Sequence, residues 1–242
     1  MERDGSVPDR HQLVGLADAG AFLARLTRLD PAAVVRLRSV GLVGGAQRTQ
    51  LWARLPWAVL VGRVVDGPGP GDATVSAAEL LAELARGGAA LPRRRDADWR
   101  WPLPPNPGAV VERIAGADLR RVAEAAAGTL RTAAVAGVAG RAVGQRALRD
   151  ALLDHVAVVV TVPPADRPAE SLIADGRIEI SQRLVQGIVR MGFLGPAGSS
   201  DMDTVQVRTV GRWVGLAAPF GVAWLQKTSQ LAIWPVRDRP NG

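Results

Sequence analysis

Short runs of apolar and β-branched residues occupy both ends of this chain, and residues with helical spacing lie between them. Runs of this length, bounded by turn residues, predict β-strands joined as hairpins or meanders. In the first half, Pro56 predicts a bulge, a bend or a sheet edge. The strand-type runs are residues 34–38 and 50–65 near the N-terminus, and residues 205–210, 213–216, 222–226 and 231–236 near the C-terminus.

Amphipathic helices are predicted around and between these β units. Apolar residues recur at helical spacing from Asp118, break at Gly137 and Gly140, and resume from Arg141 to His155. Further helices are predicted at residues 18–29 with a start near residue 9, at 76–86 and at 180–194, and a buried strand is predicted at 156–162. The fold class predicted is therefore α+β, with antiparallel β units from both ends of the chain packed against a central helical layer.

The 242 residues, 48% of them hydrophobic, are enough for one domain over residues 1–242. Residues 1–9 and 237–242 are predicted to be flexible ends. No run reaches the roughly 20 apolar residues of a membrane helix, and no signal-peptide pattern precedes the first helix. We therefore expect a cytoplasmic protein with no membrane association, while the oligomeric state is left open.

Two segments share a loose pattern of a strand, a tryptophan and a proline followed by an aromatic residue. The pattern comprises residues 35–39, Trp52 and Pro56-Trp57 in the first half, and residues 205–209, Trp213 and Pro219-Phe220 in the second. The spacings differ between the two copies. Duplication is one interpretation, and chance or a shared hairpin habit is the other.

Side chains that commonly perform catalysis are scarce. Cysteine and tyrosine are absent, histidine occurs only at His11 and His155, and all but Lys227 of the 30 basic residues are arginine. Arginine stays protonated and so replaces none of the usual nucleophiles, bases or soft metal ligands. The composition favours a non-enzymatic binding protein with no catalytic residue, no cofactor and no metal.

The charge balance indicates an anionic partner. A net charge of +7 and an isoelectric point near 11.3 attract acidic protein surfaces or polyanions. A chain rich in alanine, arginine, glycine, valine and proline is also typical of a GC-rich genome. The arginine excess therefore has a functional interpretation and a codon-usage interpretation.

Residues 87–108 form a Pro-, Arg- and Trp-rich excursion in which prolines exclude helix and central strand. Guanidinium groups beside indoles can bind carboxylates and stack on planar groups. The predicted partner-binding residues are Arg93, Arg94, Arg95, Trp99, Arg100 and Trp101. In the alternative interpretation, the tryptophans tuck into the protein surface while the arginines pair with Asp96 and Asp98.

Two further candidate sites lie on predicted helices. Arg183, Gln186 and Arg190 share one polar face, which predicts an alternative nucleic-acid-binding surface. Asp150 and Asp154 lie one helical turn apart, but the adjacent His155 points about 100° away, so the spacing does not fit a metal triad. A carboxylate- or metal-dependent enzyme is the third function class.

Four segments together resemble an actinobacteria-restricted conserved family of unassigned biochemistry. They are residues 51–57, 99–104, 146–155 and 182–193. One signature protein of this kind interacts with the chromosome-partitioning ATPase ParA and restrains its polymerisation. The resemblance implies a cytoplasmic, non-enzymatic regulator of an acidic protein partner, for example a ParA-type ATPase.

Overall fold

The computed structural model describes residues 10–105, 108–136, 145–163, 176–196, 198 and 204–227. Its helices are α1 (Leu16–Leu29), α2 (Ala77–Ala85), α3 (Gly116–Ala136), α4 (Gln145–Asp154) and α5 (Gln182–Arg190). Its strands are β1 (Val34–Val43), β2 (Ala46–Arg54), β3 (Leu60–Asp66), β4 (Asp72–Ser76), β5 (Ala109–Ala115), β6 (Val156–Thr161), β7 (Arg177–Ser181), β8 (Thr204–Val210), β9 (Trp213–Ala218) and β10 (Gly221–Gln226).

Eight strands form one antiparallel sheet in the order β4-β1-β2-β3-β10-β9-β8-β5, and β6 pairs separately with β7. The strands from the two ends of the chain meet at the centre of the sheet, where β3 pairs with β10 and Val61 lies opposite Ala223. The predicted α+β class, with β units contributed by both ends, is confirmed.

The helices bury one face of the sheet. Alternate residues along each strand point toward them, because side chains alternate between the two faces of a strand. Val35 and Leu37 of β1 lie in this core, whereas Arg36 between them points to the other face. The helical contribution comes from α1, α2, α3 and α5, through Phe22, Leu26, Leu80, Leu119, Leu184 and Ile188.

The two similar segments found in the sequence occupy matching places in the sheet. The meander β1–β2–β3 occupies one half and β8–β9–β10 the other, and each meander is preceded by a helix. In each, the Pro-aromatic pair lies in the turn between the second and third strands, Pro56-Trp57 in one and Pro219-Phe220 in the other. The loose sequence pattern therefore corresponds to a repeated local topology.

Several predicted boundaries differ from the structure. α1 begins at Leu16, because the backbone N–H groups of residues 11, 14 and 15 donate to the carbonyls of Ala89 and Asp66 instead of entering the helix. Ile180 belongs to β7 and not to the following helix, although it is buried as expected. The predicted buried strand forms as β6, but within it only Val160 is buried, since β6 has a single partner strand.

The N-cap of α2 agrees with the sequence pattern, since the Ser76 hydroxyl accepts a hydrogen bond from the Glu79 N–H at 3.3 Å. Among the described residues, no helix is long and apolar enough to cross a membrane. The predicted break at Gly137 and Gly140, the strand at 231–236 and the flexible ends at 1–9 and 237–242 lie outside the described residues.

Candidate partner-binding surface

The face of the sheet opposite the helices carries a second apolar cluster. It is built from one residue of β2, one of β3, one of β9 and one of β10, namely Trp52, Leu60, Trp213 and Trp224. All four are buried. We call this group the tryptophan cluster.

The Pro-rich excursion lies over the tryptophan cluster. Trp99, Trp101 and Leu103 pack against it and are themselves half-buried. The Trp99 and Trp101 rings meet edge to face with centroids 5.5 Å apart, and Trp99 Nε1 donates to the Trp101 carbonyl at 2.7 Å. Proline lacks a backbone donor, so a proline-rich segment depends on contacts of this kind, and the two indoles anchor it to the sheet face.

The excursion also covers the outer edge of β4. Arg95 N–H donates to the Thr74 carbonyl at 2.7 Å, and Thr74 N–H donates to Asp96 Oδ1 at 2.7 Å. Arg94 Nη2 donates to the Asp72 carbonyl at 2.6 Å. These bonds satisfy backbone groups that an open sheet edge would leave available for pairing with another chain.

Two ion pairs lie within the excursion, and a third joins β1 to β4 beside it. Arg94 Nε lies 2.7 Å from Asp96, Arg95 Nε lies 2.6 Å from Asp98, and Arg36 Nε lies 2.7 Å from Asp72. The hydrogen bond from Arg36 lowers the pKa of Asp72. Burial raises the pKa of Asp96, but the Thr74 N–H and Arg94 lower it more, so the net shift is downward.

Arginines remain at the surface of this anchored segment. Arg93, Arg94, Arg95 and Arg100 are exposed, and we call them the arginine ridge. Within the described part of the chain, the side chains of Arg93 and Arg100 make no hydrogen bond or ion pair. As the alternative interpretation has it, the two tryptophans face the protein, and Arg94 and Arg95 pair with Asp96 and Asp98. All four arginines are exposed, and Arg93 and Arg100 are left without such a pair among the described residues.

A cleft of about 230 Å³ lies beside the ridge, between the excursion and the ends of β1 and β2. Its lining includes Asp30, Arg54, Arg95, Asp98 and Trp101. The Arg54 guanidinium lies 5.1 Å from the Trp101 ring centroid, and burial lowers the pKa of Arg54. Sequence reasoning missed Arg54, because it meets Trp101 only when the excursion folds over the sheet, and such a contact leaves no local signal.

The alternative nucleic-acid face is brought together by α5, but its donors are used internally. Arg183 Nε donates to Asp154 Oδ1 at 2.6 Å, and Arg183 Nη1 donates to the Trp57 carbonyl at 2.8 Å. Arg190 Nε donates to Gln186 Oε1 at 3.0 Å, and its guanidinium lies 5.8 Å from the Trp57 ring. A phosphate at this face would compete with these contacts.

The acidic candidates for an enzyme lie at the surface, outside the cleft beside the ridge. Asp150, Asp154 and His155 are exposed, and the hydrogen bond from Arg183 lowers the pKa of Asp154. Over residues 10–227, wherever the structure describes them, no group of three or more His, Cys, Asp or Glu could hold a metal ion.

Family models divide the chain within the excursion, directly after Trp101. Residues 103–230 match the family described as domain of unknown function DUF8185. This chain belongs to the DUF8185 family. Residues 7–101 match a second model, domain of unknown function DUF8010. The DUF8185 segment supplies β5 and β8–β10, and it joins the preceding segment through β3–β10 pairing and through the tryptophan cluster, on which Trp101 and Leu103 both pack.

No curated protein matches the chain in sequence. Among solved structures, it is similar to the DNA polymerase sliding clamp from Pseudomonas aeruginosa, with a TM-score of 0.54 and 13% identity over 91% of this chain and 65% of that one. The DNA polymerase III subunit beta from the same organism gives a TM-score of 0.50 at 13% identity, covering 89% and 64%. The beta subunit from Streptococcus pyogenes DNA polymerase gives 0.50 at 10% identity, covering 88% and 63%.

The chain thus spans slightly less than two thirds of the length of these structures. At 10–13% identity the likeness establishes a shared fold. The eight-stranded antiparallel sheet with helices on one face is therefore a sliding-clamp-like fold.

Proposed function

We propose that this protein is a non-enzymatic binding protein that contacts an acidic protein surface through the arginine ridge. The observation that carries the proposal is the pair Arg93 and Arg100. Both are exposed and without a partner in the described part of the chain, yet both sit on a segment fixed by Trp99 and Trp101. A preformed surface loses little conformational freedom on binding, which favours affinity.

The chemistry of the ridge fits a carboxylate-bearing partner. Arginine binds carboxylates through two parallel hydrogen bonds, and it is among the residues enriched at binding hot spots. Exposed charges at the rim of an interface mainly accelerate association and select the partner by charge. The ridge would therefore steer an acidic surface onto the excursion.

The fold supports a role within a larger assembly. The similar solved chains are a DNA polymerase sliding clamp and beta subunits of DNA polymerase, and a subunit works together with other chains. The sequence resemblance makes a ParA-type partitioning ATPase the first partner to assay. Both lines support a regulatory or scaffolding role, and the sequence resemblance implies a cytoplasmic location.

The test compares two matched double variants. R93Q/R100Q removes two unpartnered ridge charges, while R113Q/R212Q removes two exposed arginines of β5 and the β8–β9 turn that likewise have no side-chain partner in the described residues. We expect partner capture, quantified by mass spectrometry and by titration with a purified ParA-type ATPase, to fall only in R93Q/R100Q. Equal capture by both variants would remove the ridge as the contact.

Nucleic-acid binding is the second candidate. It is favoured by the net charge of +7 and by Arg146 and Arg149, which are exposed on α4 without a side-chain partner among the described residues. Phosphate contacts release counterions, so affinity for duplex DNA would fall steeply and log-linearly with salt. A mobility shift at low salt that is lost in R146Q/R149Q supports this function, and no shift at low salt excludes it.

A further inference from the structure

The cleft beside the arginine ridge contains a cation whose bonding capacity is unused. Arg54 ends β2 and is half-buried, yet within the described residues its guanidinium makes no hydrogen bond or ion pair. Among the described residues, the guanidinium carbon instead lies 5.1 Å from the centroid of the Trp101 ring, which is a cation–π contact. By contrast, Arg36, Arg94 and Arg95 nearby are each paired with an aspartate.

A half-buried guanidinium with free donors is costly to the protein, because it has lost part of its hydration without gaining acceptors. Burial accordingly lowers the pKa of Arg54. An anion that enters the cleft would satisfy these donors, and a planar carboxylate fits the two parallel N–H groups of a guanidinium.

The charges that line the cleft favour a carboxylate over a phosphate. Arg95 in the cleft is already paired with Asp98, and Asp30 contributes a second carboxylate, so Arg54 is the one lining cation left without a described acidic partner. A doubly charged phosphate would be repelled by both aspartates more strongly than a singly charged carboxylate. The electrostatics of the cleft therefore favour a single carboxylate.

The size of the cleft favours the carboxylate of a protein side chain over that of a free small molecule. A volume of about 230 Å³ is below the roughly 300–1,000 Å³ typical of small-molecule pockets. It has room for one acidic side chain, and its open side continues onto the ridge. Trp101 forms one wall, which gives the aliphatic part of such a side chain an apolar contact.

We propose that the cleft is an anchor pocket that takes one glutamate or aspartate side chain of the partner, with its carboxylate bound by Arg54 and its methylene groups against Trp101. This inference rests on the proposed function, in that it supplies the specific anchor for the acidic partner that the ridge attracts. The ridge contributes charge at the rim, and the pocket contributes a directed contact.

The experiment uses short capped peptides as probes and the full chain as the receptor. Acetyl-Gly-Glu-Gly-amide is titrated against ¹⁵N-labelled protein, with acetyl-Gly-Gln-Gly-amide and inorganic phosphate as comparison probes. The arginine Nε–H and indole N–H resonances are followed, and the Arg54 signal is assigned from its loss in R54Q. We expect saturable shifts of Arg54 and Trp101 with the glutamate peptide, and binding at least about tenfold weaker with the glutamine peptide.

Two variants and a control complete the design. R54Q removes the charge, R54K keeps the charge but removes the two-pronged donor, and R212Q removes an exposed arginine several strands away. We expect the Trp101 shift to disappear in R54Q, to need several-fold more peptide in R54K, and to be unchanged in R212Q. A Trp101 shift that persists in R54Q, or a glutamine or phosphate probe that binds as well as glutamate, overturns the anchor pocket.

The outcomes separate the two proposals. If R93Q/R100Q loses the protein partner while R54Q binds it with wild-type affinity, the anchor pocket is wrong and the proposed function stands. If the glutamate peptide occupies the pocket but ridge variants capture partners as wild type does, the ridge assignment is wrong and the pocket stands.

Discussion

Trp57 and Arg183 form two hydrogen bonds with each other between the two halves of the chain. Trp57 Nε1 donates to the Arg183 carbonyl at 3.1 Å, and Arg183 Nη1 donates to the Trp57 carbonyl at 2.8 Å. Trp57 belongs to the β2–β3 turn and Arg183 to α5, so the pair ties the two family segments together. In the matching β9–β10 turn, the Phe220 ring lies 5.6 Å from the Arg63 guanidinium of β3. In this second contact the turn belongs to the DUF8185 segment and its partner to the DUF8010 segment.

Replacing Trp57 with phenylalanine tests the contribution of this junction. W57F keeps an aromatic ring under Arg190 but removes the indole donor to the Arg183 carbonyl. We expect a loss of about 1 kcal/mol in the free energy of unfolding, since that is the usual net value of one such hydrogen bond. Urea denaturation measures it, with R190Q as a control for the exposed ring contact; a W57F midpoint equal to wild type would contradict the prediction.

Two positions in the sheet must be glycine, because a tryptophan ring packs directly against each of them. Gly62 pairs with Trp52 across β2 and β3, and Gly215 pairs with Trp224 across β9 and β10. A Cβ at Gly62 would lie 2.8 Å from Trp52 Cε3, closer than carbon atoms normally approach. Small-to-large changes in packed sites typically cost about 1–3 kcal/mol, so we expect G62A and G215A each to destabilise the protein by this amount.

The matched control for these glycines is Gly20. It lies within α1, and a Cβ there would meet nothing within 4 Å. Replacing a helical glycine with alanine reduces the freedom of the unfolded chain, so G20A should stabilise by roughly 0.5–1 kcal/mol. If denaturant titrations gave all three alanine variants the same sign, the account of the tryptophan cluster would fail.

The Pro-rich excursion should behave as a structural cover as well as a binding surface. W99A/W101A removes both indoles that hold it over the tryptophan cluster. We expect a loss of at least about 2 kcal/mol, given that truncation of a fully buried aromatic costs about 3–5 kcal/mol and these two are half-buried. ANS fluorescence should rise as Trp52 and Trp224 become accessible, whereas R93Q should leave stability and dye binding unchanged.

Much of this arrangement follows from sequence patterns, but some elements do not. The β1 and β8 runs alternate apolar and polar residues, which predicts both strands. β5 was not predicted, because a bulge between Val110 and Glu112 breaks its alternation. The last residues of β7 fit a helix as well, since Ile180 shares the helical spacing of Leu184 and Ile188. In such short segments tertiary pairing decides between two valid periodicities.

The candidate site shows the same limit. The arginine ridge lies within residues 93–100, so local composition is enough to predict it. The anchor pocket joins Asp30, Arg54 and Trp101, which are brought together only when β1 pairs with β2 and the excursion folds back over the sheet. A contact of that kind is non-local and leaves no spacing to read.

Acid should loosen the excursion before it unfolds the protein. Asp72 and Asp96 have lowered pKa values in the fold, so their ionised forms stabilise it above the carboxyl pKa of the unfolded chain, near 4. That contribution is lost as the pH falls below about 4 through the lower folded values. Indole N–H signals of Trp99 and Trp101 should therefore shift in this range.

Asp96→Asn separates this effect from general acid denaturation. The amide keeps an oxygen that can accept from Thr74 N–H but carries no charge for Arg94. We expect D96N to be less stable than wild type at neutral pH and to show a shallower decline between about pH 4 and pH 2. Identical pH profiles for D96N and wild type would show that the Asp96 contacts do not hold the excursion.

The central claim, that the arginine ridge is a directed acidic-partner surface, is tested most directly by titrating labelled poly-L-glutamate at one fixed salt concentration. Three proteins are compared by fluorescence anisotropy: wild type, R93E/R100E and R113E/R212E, the last two having the same net charge. The account predicts that R93E/R100E binds at least about tenfold more weakly than wild type and that R113E/R212E loses no more than about threefold, because only the ridge contacts the ligand. Equal losses in the two variants would mean that binding follows net charge alone, which would contradict the account.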